Sequence, residues 1–212
     1  VRGHEAYSCD IEPCSGGHEQ WHIQADVIPL LNGNCSFRTI DGVEHRIDGK
    51  WDLIIAHPPC TYLTVTGNRW FNVNRYGLKA IKRLYQREKA IEFFIKLTEA
   101  DCERIAIENP IGVMSTRYRK PDCIIQPFMF GDPERKSTCL WLKGLKELTA
   151  TNMVEPKIIR YQNGKGTDSK WHMDTIRLTP KERAKERSKT FLGIAKAMAE
   201  QWGSLGNGGD AD

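Results

Sequence analysis

Two residues of this sequence carry groups suited to covalent chemistry. Cys60 follows the run Trp51-Asp52-Leu53-Ile54-Ile55-Ala56-His57-Pro58-Pro59, and Glu108 closes Arg104-Ile105-Ala106-Ile107. A cysteine thiolate is a strong nucleophile, and a carboxyl group beside it can give or take the proton that an addition moves. Each residue also has a plainer role: a structural cysteine behind a strand, or a glutamate capping a helix or pairing with a cation. Placed at the same edge of one sheet, the two form a chemical pair.

The elements around them predict that placement. Leu53 to Ala56 is a short apolar run with β-branched residues, the pattern of a strand covered on both faces. Pro58 and Pro59 cannot continue a ladder and force a stiff, extended exit. Cys60 therefore stands at the carboxyl end of a strand, where open α/β sheets bind ligands. Residues 103–108 read as the next strand, ending in Glu108-Asn109-Pro110 at the same edge. Two earlier strand-like stretches end in Asp10 and Asp26, and such carboxylates could hold an adenosine, one at the ribose and one near the base.

The chain of 212 residues fits one domain with a substantial core, spanning 1–202, with a flexible tail over 203–212. A hairpin is expected around Asp41-Gly42, a sheet-covering helix over 79–100, and a second long helix over 180–202 capped by Thr179 with Pro180 in its first turn. That first helix should bury Ala80, Ile81, Leu84, Tyr85, Ile91, Phe94, Ile95 and Leu97. Residues 144–180 are polar, with a flexible tip at Gln162 to Thr167. Cys9, Cys14, His18 and His22 have loose zinc-like spacing, but the stretch reads as a surface loop and no metal site is assigned. In the long connection after Cys60, Arg69, Trp70, Phe71, Arg75 and Tyr76 interleave cations with rings, a composition suited to phosphate contact and base stacking. Arg117, Arg119 and Lys120 could track a phosphate backbone. The net charge of +4 permits a nucleic-acid partner. Seven cysteines without a disulfide framework suggest a reducing, cytoplasmic setting. No apolar run approaches the roughly 20 residues that span a membrane, and the opening Val1-Arg2-Gly3-His4 does not read as a signal peptide.

A strand delivering Ala56-His57-Pro58-Pro59-Cys60 and a later one delivering Ile107-Glu108-Asn109-Pro110 resemble the DNA cytosine-5 methyltransferases, in particular short phage-type members carrying His-Pro-Pro-Cys. Looser matches are Cys9-Asp10, Ala25-Asp26-Val27, Asp132-Pro133-Glu134-Arg135-Lys136, and the helix around Thr190-Phe191-Leu192-Gly193. The resemblance implies a Rossmann-like fold, a mostly parallel sheet with helices on both faces, and S-adenosylmethionine as cofactor. Cys60 would add to carbon 6 of cytosine while Glu108 hydrogen-bonds or protonates ring nitrogen 3. Lys136 would stand where the family places a base-contacting arginine, and Asp10, Asp26 and Pro58 would line the cofactor site. The duplex base must leave its stack first, and the 61–76 loop would close over it. The resemblance also implies a central strand and glycine-rich turn ahead of Val1, between the strands ending at Asp10 and Cys60. Their absence from this sequence suggests an N-terminal truncation, with rearrangement or a homodimer closing the gap. The insertion at 144–180 is short for target recognition.

Other readings remain: a free cytosine nucleotide or RNA as substrate, methylation of an exocyclic amine, or a nucleic-acid-binding remnant without catalysis. Cys60, where amino-methyltransferases place an aromatic residue, argues against the exocyclic amine.

Overall fold

The computed structural model describes residues 3–161 and 166–203. Its core is set by the two-residue period of the strand Ile105–Pro110 and its neighbours. Chain order gives β1 (Ser8–Asp10), β2 (His22–Gln24), β3 (Cys35–Arg38), β4 (Glu44–Ile47), β5 (Ile54–Ala56), α1 (Val73–Tyr76) and α2 (Leu78–Thr98). There follow β6 (Ile105–Pro110), α3 (Met114–Arg117), β7 (Cys123–Ile125), β8 (Thr138–Lys143), β9 (Ile158–Arg160), β10 (Thr167–Ser169), α4 (Lys170–Ile176), α5 (Pro180–Ser188) and α6 (Leu192–Gln201).

The main sheet has the order β5-β6-β8-β7. β5 is parallel to β6, and β8 is antiparallel to both β6 and β7. Three strands thus share one direction, and the fourth runs against them between two of the three. This is an α/β fold with a mixed sheet, less parallel than expected, because the short connection from β7 returns directly into β8 as an antiparallel neighbour.

Alternation sends Ile105 and Ile107 to one face, with Cys139 and Trp141 of β8, where they meet Ile91, Phe94 and Leu97 of α2. Ala106 and Leu140 go to the other face, against Ile194, Ala197 and Met198 of α6 and Trp202 just after it. Phe94 sets its edge on Trp141, with centroids 5.1 Å apart at 85°, the geometry that the ring quadrupoles favour.

Only the second half of α2 lies on the sheet. Ile81 and Tyr85, expected in the core, stand exposed, and so does Leu84 at the margin. The first half runs instead beside the connection that follows Cys60, and its arginines face that connection.

β1 and β2 form their own parallel pair, and the expected hairpin closes as the antiparallel pair β3–β4. β1 and β5 are not paired, so Asp10, at the end of β1, and Cys60, four residues beyond β5, follow strands of different sheets. The long helix expected over 180–202 is broken. α5 begins with the expected capping box between Thr179 and Glu182, but Lys189 and Phe191 are extended and α6 starts afresh. The cause lies at Gly193. Its N–H donates to Asp132 Oδ2 at 2.9 Å, and a Cβ there would sit 1.9 Å from the Phe130 carbonyl. The chain must leave its helix to dock this glycine on the β7–β8 connection.

The polar 144–180 region holds more structure than expected, with the hairpin β9–β10 and α4. Most of the flexible tip lies outside the described residues, as does the tail beyond Gly203. Among the described residues no helix is long and apolar enough to cross a membrane. Replacing Gly193 by Ala should push α6 off the sheet and destabilise the protein by about 1–3 kcal/mol, read as a lower urea midpoint with an unchanged slope.

Candidate active site

The parallel register of β5 on β6 sets Ala56 beside Ile107. One residue further, His57 comes level with Glu108, and His57 Nδ1 lies 2.7 Å from Glu108 Oε2. Asn109, the next residue of β6, points to the opposite face and donates from Nδ2 to the Pro58 carbonyl at 2.8 Å, fully buried. The two adjacent side chains of β6 thus grip the exit of β5 from both faces and hold the Pro-Pro-Cys60 segment in place. Pro58, expected at the cofactor site, is buried and its carbonyl takes part in this tie.

Beyond Cys60 the chain turns at once: the Cys60 carbonyl accepts from the N–H groups of Leu63 and Thr64. It then runs against the segment after β6, where Val113 N–H donates to the Leu63 carbonyl at 2.8 Å. Gly112 permits this approach, since a Cβ there would come within 2.2 Å of the same carbonyl. Both strand exits are therefore tied together twice, once before Cys60 and once after it.

Cys60 is exposed, whereas the Glu108 side chain keeps 14% of its surface. Desolvation pushes the Cys60 thiol above its ordinary value, the Glu108 charge adds to this, and Lys136 pulls the other way. Burial also pushes the Glu108 carboxyl up, but the hydrogen bond and charge of His57, with Lys136 behind, outweigh it and leave the group below the usual carboxylate range. At rest the pair is a protonated thiol beside an ionised carboxylate.

Lys136 belongs to this site. With Glu108 it lines a narrow cleft of about 10 Å³, room for no more than a water, whose other walls include Thr190, Phe191 and Met198. Its Nζ donates to the Arg187 carbonyl at 3.1 Å and lies 5.9 Å from the ring centres of both Trp171 and Phe191. The break between α5 and α6 brings these groups over Glu108.

The connection after Cys60 is ordered as a 3₁₀ helix (Val65–Phe71) followed by α1. Arg87 of α2 stacks on Phe71 at 3.3 Å and donates to the Tyr62 carbonyl and to Asn68 Oδ1. Arg83 lies 5.1 Å from both Tyr62 and Phe71. Arg69, Trp70, Tyr76 and Arg75 form a cation–ring ladder outside this clamp, with Trp70 exposed. Sequence reading missed Arg83 and Arg87, because they sit four apart within a helix whose apolar pattern dominates.

Arg117 and Arg119 are drawn into local pairs. Arg117 grips Glu88 with two hydrogen bonds of 2.8 and 2.5 Å, and Arg119 pairs with Asp122 and donates to the Leu142 carbonyl. Their charges are matched within the chain, so the strongest candidates for phosphate contact are Arg69 and Arg75.

Asp10 ends β1, but β2 stops at Gln24, so Asp26 lies two residues beyond the strand expected to end in it; each aspartate closes its own turn, Oδ1 accepting from the Glu12 and Ile28 N–H groups respectively. Cys9, Cys14, His18 and His22 do not assemble: His22 bonds Ser8 Oγ and the Glu12 carbonyl, and Cys9 Sγ donates to the Ala25 carbonyl. Among the described residues no three metal-ligating groups come together.

No family model, curated protein or solved structure matches this chain.

Alkylation of Cys60, followed by peptide mass spectrometry, should report the charges around it. The thiol should react more slowly than a free cysteine near neutral pH. Glu108→Gln removes a charge that raises the thiol, so alkylation should quicken at fixed pH; Lys136→Gln removes one that lowers it, so alkylation should slow.

Proposed function

We propose that this chain has the catalytic centre of a Rossmann-like, S-adenosylmethionine-dependent methyltransferase acting on carbon 5 of cytosine in DNA. The single observation that carries the reading is that the β5–β6 register brings the His57-Pro58-Pro59-Cys60 exit to Glu108, with His57 bonded to the carboxylate and Lys136 lining the same cleft.

Carbon 5 of cytosine is a poor nucleophile until a nucleophile adds at carbon 6. The Cys60 thiol gives its proton to the ionised Glu108 and Sγ forms that bond, the carbon 5–carbon 6 double bond shifts toward carbon 4, and ring nitrogen 3 takes the proton from Glu108. The electron-rich ring then accepts an electrophile at carbon 5. Loss of the carbon-5 proton and departure of Cys60 restore the aromatic base. Lys136 stabilises negative charge as it develops on the ring or on Glu108. A flipped base must widen the cleft beside Glu108, and the extended link Lys189–Phe191 is the segment placed to yield. Arg69, Trp70 and Arg75 offer phosphate contact and stacking for the strand around the base.

S-adenosylmethionine, when bound, supplies the methyl group. Asp10 and Asp26 suit its adenosine end, because they lie at the end of and just beyond two adjacent parallel strands, and each commits one carboxylate oxygen to a local turn. For its methionine end the described residues offer no glycine-rich turn from a strand into an α-helix.

The decisive experiment needs no cofactor. Adduct formation makes carbon 5 basic, so wild-type protein should exchange the cytosine C5 hydrogen of a DNA oligonucleotide with deuterium oxide, followed by NMR or mass spectrometry. Cys60→Ser should abolish exchange, and Glu108→Gln should slow it by roughly 10²- to 10⁴-fold, the usual contribution of a positioned acid–base group. Wild-type protein that binds the oligonucleotide but never exchanges its cytosine hydrogen would overturn the reading in favour of a non-catalytic nucleic-acid-binding chain.

A further inference from the structure

His57 stands beside the two residues that carry the proposed chemistry and has no part in it so far. Its Nδ1 lies 2.7 Å from Glu108 Oε2. An ionised carboxylate can only accept hydrogen bonds, so Nδ1 carries the proton and donates. The contact does not depend on a chance rotamer: the β5–β6 register sets residue 57 level with residue 108, and the neighbouring Asn109–Pro58 bond fixes the same stretch of backbone.

We propose that His57 is a positioning residue of this site. By binding Oε2 it leaves Oε1 as the oxygen that meets the base, and it holds Glu108 as the station through which the Cys60 thiol proton reaches ring nitrogen 3. The inference rests on the cytosine reading given above.

The step balances within the chain and the base. The Cys60 S–H bond breaks and its proton goes to Oε1 of the Glu108 carboxylate. The Sγ–carbon 6 bond forms, the carbon 5–carbon 6 π pair moves to carbon 4–carbon 5, and the carbon 4–nitrogen 3 π pair takes the proton from Oε1. Thiol plus neutral cytosine becomes a neutral adduct, and Glu108 ends as it began, a carboxylate hydrogen-bonded to His57. This routing answers a difficulty of the resting site, where the thiol is protonated beside a negative charge. An ionised Glu108 is the base that the thiol lacks, and the imidazole donor makes the carboxyl a stronger acid once it has been loaded. Lys136, ahead of β8, also acts on this carboxylate, and the carboxylate in turn raises the thiols of Cys60 at the β5 exit and Cys139 within β8.

Two variants separate the hydrogen bond from simple packing. His57→Phe removes the donor and keeps a ring. His57→Asn keeps an N–H close to the place of Nδ1 and cannot become charged. The readouts are the pH profile of C5-hydrogen exchange and the titration of Glu108 followed by carbon-13 NMR of its carboxyl.

In His57→Phe, burial is no longer opposed by the imidazole, so Glu108 should protonate at higher pH than in the wild type. The acid limb of the exchange profile should move up with it. The plateau rate should fall roughly 10- to 100-fold, the usual worth of a hydrogen bond to a charged group. His57→Asn should recover much of the plateau while its acid limb stays between the other two. Unchanged Glu108 titration in His57→Phe overturns the proposal, as does a shifted titration with an unchanged exchange profile. If wild-type protein fails to exchange the hydrogen at all, the cytosine reading itself fails and this proposal with it. Exchange by the wild type, with failure confined to the variant comparison, removes the role of His57 alone.

Discussion

The site depends on one constraint, the grip of β6 on the exit of β5. Consecutive residues of a strand face opposite ways, so Glu108 and Asn109 cannot both point into one pocket. The fold uses both directions. Glu108 turns to the α6 face and meets His57, while Asn109 turns to the α2 face and takes the Pro58 carbonyl. Only an amide suits the second position. An aspartate would face a carbonyl with a negative charge, and a leucine would leave that carbonyl buried without its partner, at a cost of about 1–3 kcal/mol. Asn109 Oδ1 is itself buried without a hydrogen-bond partner, which marks the tie to Pro58 as the reason for the residue. The prolines add to the constraint, since they leave little backbone freedom between the grip and Cys60.

Charge at the site is arranged around Glu108 rather than around the thiol. His57 and Lys136 both favour the carboxylate, and the carboxylate in turn disfavours the thiolate. A nucleophile activated at rest would react with any electrophile that reached this exposed edge. The arrangement described instead keeps the sulfur protonated until a base accepts the proton. Lys136 makes the balance depend on the C-terminal part of the chain, because its ammonium is held by the Arg187 carbonyl and lies near the Trp171 and Phe191 rings. Through this one lysine the chain near α4 and α5 bears on the charge balance at Glu108.

The strands on either side of the His57–Glu108 contact were legible because their signals are local: Ile54–Ala56 before two prolines, and an apolar run leading into Glu108-Asn109, although β6 runs on to Pro110. The α5 cap at Thr179–Glu182 was legible for the same reason. What sequence reading missed depends on contacts between distant segments. The α5–α6 break is imposed by Asp132 and the Phe130 carbonyl on Gly193, and nothing in the helical pattern of 180–202 announces it. The exposure of Ile81 and Tyr85 follows from how far α2 overhangs the sheet, which periodicity does not measure. The ion pairs of Arg117 and Arg119 were not legible in the same way, because Glu88 lies 29 residues from Arg117. His57 reads in the sequence only as part of a motif, since its partner Glu108 is reached only through strand register.

The division of the strands into separate sheets bears on how firmly the thiol is held. β5 has three residues and pairs on one side only, and Ile55 in its middle keeps 37% of its surface. A short strand with a single partner gains half the ladder bonds of a central one, so its position rests on what happens at its end. The two side-chain ties to His57 and Pro58, and the backbone pairing of 63–65 with 111–113 behind Cys60, supply what the missing ladder does not. In a strand flanked on both sides such contacts would be refinements. Here they determine where the sulfur stands relative to Glu108, so groups one residue removed from the chemistry carry part of its geometry.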